Sequence, residues 1–220
     1  YGTDTLWNYE VGAKTSWLDN RLTANAVAYY IDWSDIQLFA FDSVSLSSKI
    51  QNAGKAEVFG FETEVRYKAT ENLQLNANYA YADAALAEDY VFTGTNPPTV
   101  LGADGDRLPG SSMHTFSVFA DWQSSLTSSL DLAANVNYIY MSSRKGSISP
   151  VEQPELPSLG TLNLSIGIKH DAGVSVSLFA NNLLDERRQS LDFSHGASGI
   201  LRVFNMNSPR TIGLRAGYQF

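Results

Sequence analysis

In the last stretch of the chain, Ile212, Leu214, Ala216, Tyr218 and Phe220 fall on one face of an extended strand. Thr211, Gly213, Arg215, Gly217 and Gln219 fall on the other. A period of two marks a β-strand with one apolar and one polar side. Eight earlier segments repeat it. Val11, Ala13, Thr15 and Trp17 alternate with Gly12, Lys14 and Ser16, and Asp19-Asn20 is a suitable two-residue turn because both residues tolerate positive φ. That turn sets Trp17 opposite Leu22 and puts Leu22, Ala24, Ala26, Ala28 and Tyr30 on the same face. Phe59, Phe61, Val65 and Tyr67 then oppose Gly60, Glu62, Glu64, Arg66 and Lys68, and Leu73, Leu75, Ala77, Tyr79 and Tyr81 oppose Gln74, Asn76 and Asn78. The pattern returns around Phe116–Trp122, Leu130–Tyr140, Leu162–Ile168 and Val174–Ala180. The expectation is nine antiparallel strands, with Ile166, Leu178, Leu214 and Ala216 on the apolar face and Lys169, Ser177 and Arg215 on the polar one.

The connections alternate as well. Residues 19–20, 70–72, 124–129 and 171–173 are short turns, whereas 41–48, 87–112, 142–158 and 185–208 are longer and rich in Gly, Pro, Ser and charge. One rim is therefore plain and the other elaborated, as in a membrane barrel with short periplasmic turns and long outer loops. Aromatics sort by height: Trp17, Tyr67, Trp122, Tyr218 and Phe220 lie towards the short turns, and Tyr30, Tyr79, Tyr81, Tyr138 and Tyr140 towards the long loops. Two aromatic belts around an aliphatic band form an interfacial signature. A soluble β-sandwich also alternates. Strands of roughly ten residues, against the usual five or six, and aromatics at the ends of the apolar face argue against it.

Composition narrows the function. The net charge is −8 and the pI about 4.8, which excludes the basic stripe a nucleic-acid partner requires. There is no cysteine, hence no disulfide framework and no thiolate metal site. Mean hydropathy is −0.17 with 44% hydrophobic residues, and no apolar run approaches the roughly 20 residues of a membrane helix. Membrane strands dilute each lipid-facing residue with a polar one, so this is the profile expected of a barrel.

Nine antiparallel strands leave the first and last running in the same direction, and an open edge in hydrocarbon leaves unpaired backbone groups. The expectation is a segment of a larger barrel whose preceding strands lie outside this sequence. The alternative is a miscounted strand at 41–48. The sequence begins at Tyr1 with no leader peptide, so it also reads as part of a longer precursor.

No residues suggest an enzyme. His114, His170 and His195 are spread over different strands and rims, giving no compact metal-ligand spacing, and no nucleophile-elbow motif is present. Asp104-Gly105-Asp106 offers oxygen ligands that could hold Ca²⁺, or is simply a solvated turn, since it lacks the further acidic positions of a calcium loop. The polar row Glu62, Glu64, Arg66 and Lys68, with Lys14, Asp121, Asp131, Lys169 and Arg215, is read as lumen-facing wall, either contacting a plug or neutralising itself. On the outer loops, Arg187 and Arg188 could grip an anionic ligand bidentately, or pair with Asp185 and Glu186. Tyr90, Phe92, Phe193 and Phe204 could stack a sugar or catecholate ring, or pin the loops. His195 joins Arg187, Arg188, Tyr90 and Phe92 as ligand-binding candidates.

Four stretches are similar to one known family. Asn52-Ala53-Gly54-Lys55-Ala56 with Gly60-Phe61-Glu62-Thr63-Glu64 resembles a stretch of TonB-dependent outer-membrane receptors. Asp106-Arg107-Leu108-Pro109-Gly110-Ser111 with His114-Thr115-Phe116, Asn181-Asn182-Leu183-Leu184-Asp185, and Pro209-Arg210-Thr211 through Tyr218-Gln219-Phe220 resemble others, in the family's order. The resemblance implies an all-β fold. Residues 1–220 would be the C-terminal portion, about nine strands, of a transmembrane antiparallel barrel of roughly 22 strands, lacking the N-terminal plug. It implies energised import, in the outer membrane of a Gram-negative bacterium, of a scarce bulky ligand: a metal–siderophore, cobalamin or an oligosaccharide. Expected partners are the plug and remaining strands, the TonB complex through that plug, outer-membrane lipid and lipopolysaccharide, and the extracellular ligand. No cofactor is expected. A passive porin-type channel, an autotransporter-type translocator and a soluble carbohydrate-binding domain are the competing readings.

Overall fold

A computed structural model of the chain describes residues 1–42, 47–52, 54–93, 97–148, 155–195 and 201–219. It contains strands only. In chain order these are β1 (Thr5–Trp17), β2 (Leu22–Ser34), β3 (Gln37–Asp42), β4 (Ser47–Asn52), β5 (Lys55–Lys68), β6 (Leu73–Leu86), β7 (Tyr90–Phe92), β8 (Thr99–Gly102) and β9 (His114–Thr127). There follow β10 (Leu130–Met141), β11 (Arg144–Lys145), β12 (Glu155–Leu156), β13 (Leu159–His170), β14 (Val174–Asn181), β15 (Gln189–His195), β16 (Leu201–Met206) and β17 (Thr211–Tyr218). No helix among the described residues is long and apolar enough to cross a membrane.

Nine strands form one antiparallel sheet in the order β1-β2-β5-β6-β9-β10-β13-β14-β17. Every connection joins neighbours, so the wall is a continuous meander with β1 and β17 as its two edges. The predicted register holds: Trp17 pairs with Leu22, and Ala28 lies opposite Phe61, which lies opposite Tyr81. The first turn has Asp19 at φ 55° and Asn20 at φ 66°, closed by the Arg21 amide donating to the Leu18 carbonyl at 3.1 Å. Leu18, at φ 54°, precedes them, so the loop is 18–21, longer than the two-residue turn expected. Of its three successive left-handed residues, Asp and Asn accommodate that backbone at least cost.

The extra strands suspected around 41–48 exist, but β3 and β4 pair only with each other and leave the count of nine unchanged. Together with β7–β8, β11–β12 and β15–β16 they make four small hairpins, one within each long connection and therefore all on one rim. That is the short/long alternation made concrete.

Residue type separates the two faces of the wall, and large apolar side chains lie exposed on one of them. Val11 is 73% exposed, Leu214 75% and Ile166 46%. Among the described residues no second layer covers this face and no sandwich core forms. The opposite face is concave. It borders an open groove of about 900 Å³ lined by Glu10, Lys14, Asn25, Glu62 and Glu64 among others. A sheet with an apolar convex face and a polar concave face has the geometry of a barrel wall, lipid outside and water inside. The outer belt is tightly stacked: Phe116 lies 5.1 Å from Tyr140 and Phe61 5.4 Å from Tyr79 between ring centroids, and the Tyr79 hydroxyl meets His114 Nδ1 at 2.8 Å.

The hydrophobic core lies at the loop-bearing rim instead. Ile36, Ala56, Leu86, Tyr90, Phe92 and Ile148 form one buried cluster, with Trp33, Leu38, Leu101 and Leu108 against it. It gathers the ends of β5 and β6 and three of the long connections, so these loops share one small core instead of hanging separately.

Candidate functional site: the loop-bearing rim and the concave wall

Three of the motifs noted in the sequence root the long loops. In the first, Gly54 has φ +49°, and a Cβ there would come within 2.6 Å of Glu88 Oε1. The position therefore requires both the left-handed backbone and the missing side chain. Its carbonyl accepts from the Ile36 amide at 3.2 Å, and the next carbonyl, of Lys55, accepts from Ala87 at 2.8 Å. Asn52 Nδ2 closes the β3–β4 hairpin by donating to the Asp35 carbonyl at 2.7 Å. Ala53 lies outside the described residues.

In the second, residues 105–108 run along the upper end of β6. Leu86 donates to the Asp106 carbonyl at 2.8 Å and Leu108 to the Ala84 carbonyl at 2.9 Å. Both carboxylate oxygens of Asp106 are engaged: Oδ2 accepts from the Ala103 amide at 2.9 Å and Oδ1 from Lys145 Nζ at 3.0 Å. Those two donors, the amide first, hold its carboxyl below the ordinary range. Asp106 is thus a loop brace, and no group of three His, Cys, Asp or Glu side chains among the described residues could hold a metal ion.

The third motif roots the last loop. Asn182, 4% exposed with φ 49°, donates from Nδ2 to the carbonyls of Glu186 and Ser208, both at 2.9 Å, and accepts the Glu186 amide at 3.0 Å. Its own amide donates to Asn163 Oδ1 at 2.8 Å, tying the loop to β13. Asn207 adds a second brace, accepting from the Arg188 amide at 2.7 Å. Asp185 accepts from Arg187 Nε and from the Arg210 amide, each at 2.9 Å. These two bonds, Arg187 first, pull its carboxyl below the usual range.

The ligand-binding candidates separate. Arg187 pairs with Asp185 at 2.9 Å and Arg188 with Glu186 at 3.2 Å, both arginines still about half exposed. They sit side by side at the foot of β15, each with a local partner. His195 ends β15, but its side chain, like those of Phe193 and Phe204, lies outside the described ones. Tyr90 and Phe92 are 0% and 3% exposed. Both rings are core, so stacking against a ligand is corrected to pinning the loops. Alternation along β7 turns them inward and leaves Val91, 40% exposed, outward. Burial pushes the Tyr90 hydroxyl up to about 12, with Gln51 acting weakly the other way. Among the described residues that hydroxyl has no hydrogen-bond partner, and Gln51 Nε2 donates to the Val91 carbonyl at 3.2 Å.

On the concave wall, Glu62, Glu64, Arg66 and Lys68 share the polar face, as does Arg215. Arg66 lies 3.6 Å from Glu64, and Asn25 donates to Glu64 at 3.1 Å. Arg215 stands over the Phe179 ring at 5.3 Å, and that ring in turn covers Gly213, where a Cβ would come within 2.8 Å of it. An aromatic laid over a cross-strand glycine covers exposed backbone and helps fix the pairing. Sequence reasoning missed Lys145, Asn207 and the bracing role of Asn182. Asn182 carried a signal in its motif. The other two lie 39 and 19 residues from the groups they brace, beyond any local pattern.

Fold and site together define a class: the wall of a transmembrane β-barrel with an elaborated outer rim. The family described as TonB dependent receptor-like, beta-barrel matches residues 4–183, and the chain belongs to that family. Members of this family are outer-membrane proteins of Gram-negative bacteria. Among similar proteins, the metal-pseudopaline receptor CntO of Pseudomonas aeruginosa is 28% identical over 181 residues, 81% of this chain and 23% of its own. The ferric-pyoverdine receptor PbuA of a Pseudomonas strain is 30% identical over 188 residues, 83% of this chain and 21% of its own. Among solved structures, the ferric yersiniabactin uptake receptor FyuA from Yersinia pestis superimposes with a TM-score of 0.77 at 20% identity, covering 99% of this chain and 30% of that one. The siderophore receptor PiuA from Acinetobacter baumannii gives 0.73 at 18%, covering 97% and 28%. The chain spans between a fifth and a third of the length of these relatives.

Proposed function

We propose that this chain is the closing portion of a barrel of roughly 22 strands through which a TonB-dependent receptor imports a metal–siderophore chelate. The observation that carries this reading is the nine-stranded wall with its apolar convex face, polar concave face and one rim of hairpin-bearing loops. Relatives whose names specify metal–pseudopaline and ferric–pyoverdine support a metal chelate over cobalamin or an oligosaccharide. The protein acts by capture and passage, with no chemical step. The plug and the earlier strands lie outside this sequence. The plug fills the lumen against the concave wall and couples to the TonB complex, the convex face meets lipid and lipopolysaccharide, and the loops meet the chelate. Arg187 and Arg188 are the residues proposed to contact an anionic group on it, by exchanging their local carboxylates for the ligand's. His195 at the end of β15 is proposed as a further contact.

The test is uptake of radiolabelled iron, supplied as ferric pyoverdine and as ferric yersiniabactin, by cells carrying the full-length protein. Uptake is measured with the proton-motive force intact and then collapsed. Uptake that stops on collapse supports an energised receptor. Uptake that continues unchanged rules it out in favour of a passive pore.

A further inference from the structure

The concave wall changes character across the sheet. On β1 and β5, which flank an uncharged β2 face (Thr23, Asn25 and Val27), it carries Glu10, Lys14, Glu62, Glu64, Arg66 and Lys68. On the same cross-strand rows the next four wall strands are neutral. The row through Glu64 continues as Asn78, Ser117, Ile139 and Thr161, and the row through Arg66 as Asn76, Phe119, Asn137 and Asn163. Among the described residues of β6, β9, β10 and β13, charge returns to this face only towards the short turns, at Asp121, Asp131 and Lys169. The amides of the neutral band also satisfy one another. Asn78 Nδ2 donates to Ser117 Oγ at 3.1 Å, Asn163 Nδ2 to Asn137 Oδ1 at 2.9 Å, and Gln74 Nε2 to Asn76 Oδ1 at 3.2 Å.

The geometry points to this neutral band, on β6, β9, β10 and β13, as the side of the lumen along which the chelate passes. The charged band that β1 and β5 form on either side of β2 is the side that keeps its contact with the plug. The inference rests on the import reading given above. Passage requires a wall that a solute can touch and leave. Carboxylates would repel an anionic chelate and free cations would hold it. Hydrogen bonds made to charged groups are worth about twice those between neutral ones, so the charged band gives up more on parting from whatever faces it. The neutral band has its hydrogen bonds within the wall and gives up little when a neighbour moves away. Amides beside Phe119 and Ile139 offer both hydrogen bonds and apolar contact, which suits an organic chelate.

The test uses the full-length receptor in living cells, with single cysteines introduced into a segment that has none of its own. Ser117→Cys and Asn137→Cys report on the neutral band, and Thr23→Cys and Asn25→Cys on the charged one. The probe is fluorescein maleimide, applied while iron uptake from iron-limited conditioned medium is measured in the same cells. The first pair is expected to label about tenfold faster in respiring than in de-energised cells, as when an open state rises from about 1% to 10% of molecules. The second pair is expected to keep one rate. An equal or greater gain in the charged band overturns the inference, as does no gain anywhere while uptake remains energy-dependent. Uptake that ignores the proton-motive force overturns the import reading itself, and the inference with it. A heat-shifted band on gels verifies assembly of each variant, and Thr161→Cys with Ser16→Cys provides a second pair should one fail to assemble.

Discussion

Replacing Asn182 with alanine should loosen the last outer loop and leave the wall intact. The substitution removes three side-chain hydrogen bonds, two donated to the carbonyls of Glu186 and Ser208 at 2.9 Å and one accepted from the Glu186 amide at 3.0 Å. At about 0.5–1.5 kcal/mol each, and with about 1–2 kcal/mol more for holding a residue other than Gly, Asn or Asp in the left-handed region, the expected loss is about 3–6 kcal/mol. Asn182→Gly loses the same bonds but not the backbone share, so the difference between the two variants isolates the φ of 49°. The assay is hydrogen–deuterium exchange on the full-length receptor in detergent micelles. Exchange at the amides of Glu186 and Arg188 should accelerate at least about a hundredfold in the alanine variant, since each 1.4 kcal/mol is worth about tenfold. The amides of Leu178 and Leu214, within the paired ladder of β14 and β17, should not change. Unaltered exchange at Glu186, or acceleration spread equally into the ladder, would refute the claim that Asn182 is a local root of the loop.

Three other outcomes follow from the geometry. Leu214→Arg, on the convex face at mid-strand, should cost about 2–4 kcal/mol in refolding into lipid vesicles, and Ser177→Arg on the concave face far less; equal penalties would show the sidedness to be wrong. Tyr90→Phe should leave the loop core as stable or firmer by about 1–3 kcal/mol, because the hydroxyl is buried without a partner among the described residues, while Tyr90→Ala should loosen it by about 3–5 kcal/mol, both read as protease resistance of residues 87–112. Because its folded value is raised, from 10 to about 12, Tyr90 contributes fully below pH 10, and its contribution falls as pH climbs through 12 and the unfolded form ionises first; resistance that instead rose over that interval would contradict its burial. Replacing Arg187 and Arg188 together with alanine should weaken ferric-chelate binding by about 1.5–3 kcal/mol for each charged hydrogen bond lost without affecting barrel assembly, and unchanged binding would remove them from the mouth.

The wall was legible because a barrel strand writes its environment into a period of two. Val11, Ala28, Phe61 and Tyr81 share a face in the sequence and share a row in the sheet. The tight turn at Asp19-Asn20 transmits that phase from one strand to the next, so a single hairpin sufficed to set the sidedness of its neighbours. The same logic failed in the loops. Tyr90 and Phe92 lie in a segment with turn-like composition, and an aromatic there has two opposite uses, facing a ligand or facing a core. Alternation over three residues cannot decide between them. The deciding partners, Ile36, Ala56 and Ile148, come from three other parts of the chain, and contacts at that separation leave no local trace.

The candidate site was therefore readable only as a rim. Arg187 and Arg188 were singled out as a pair of cations, and their carboxylate partners precede them in the same tetrapeptide. That proximity already favoured local pairing, and the distances to Asp185 and Glu186 are those of paired groups. Such pairing does not oppose a binding role. Asp185 is fixed by the Arg210 amide as well as by Arg187, so it would stay in place if Arg187 turned to an anionic group of a ligand, as proposed. An arginine held beside a tethered acid at a half-exposed rim is positioned in advance, which lowers the entropy lost when a ligand's anionic group takes the acid's place. The loop architecture supplies that positioning through Asn182 and Asn207. On the proposed reading, loosening the root at Asn182 should therefore weaken chelate binding through the arginines it positions.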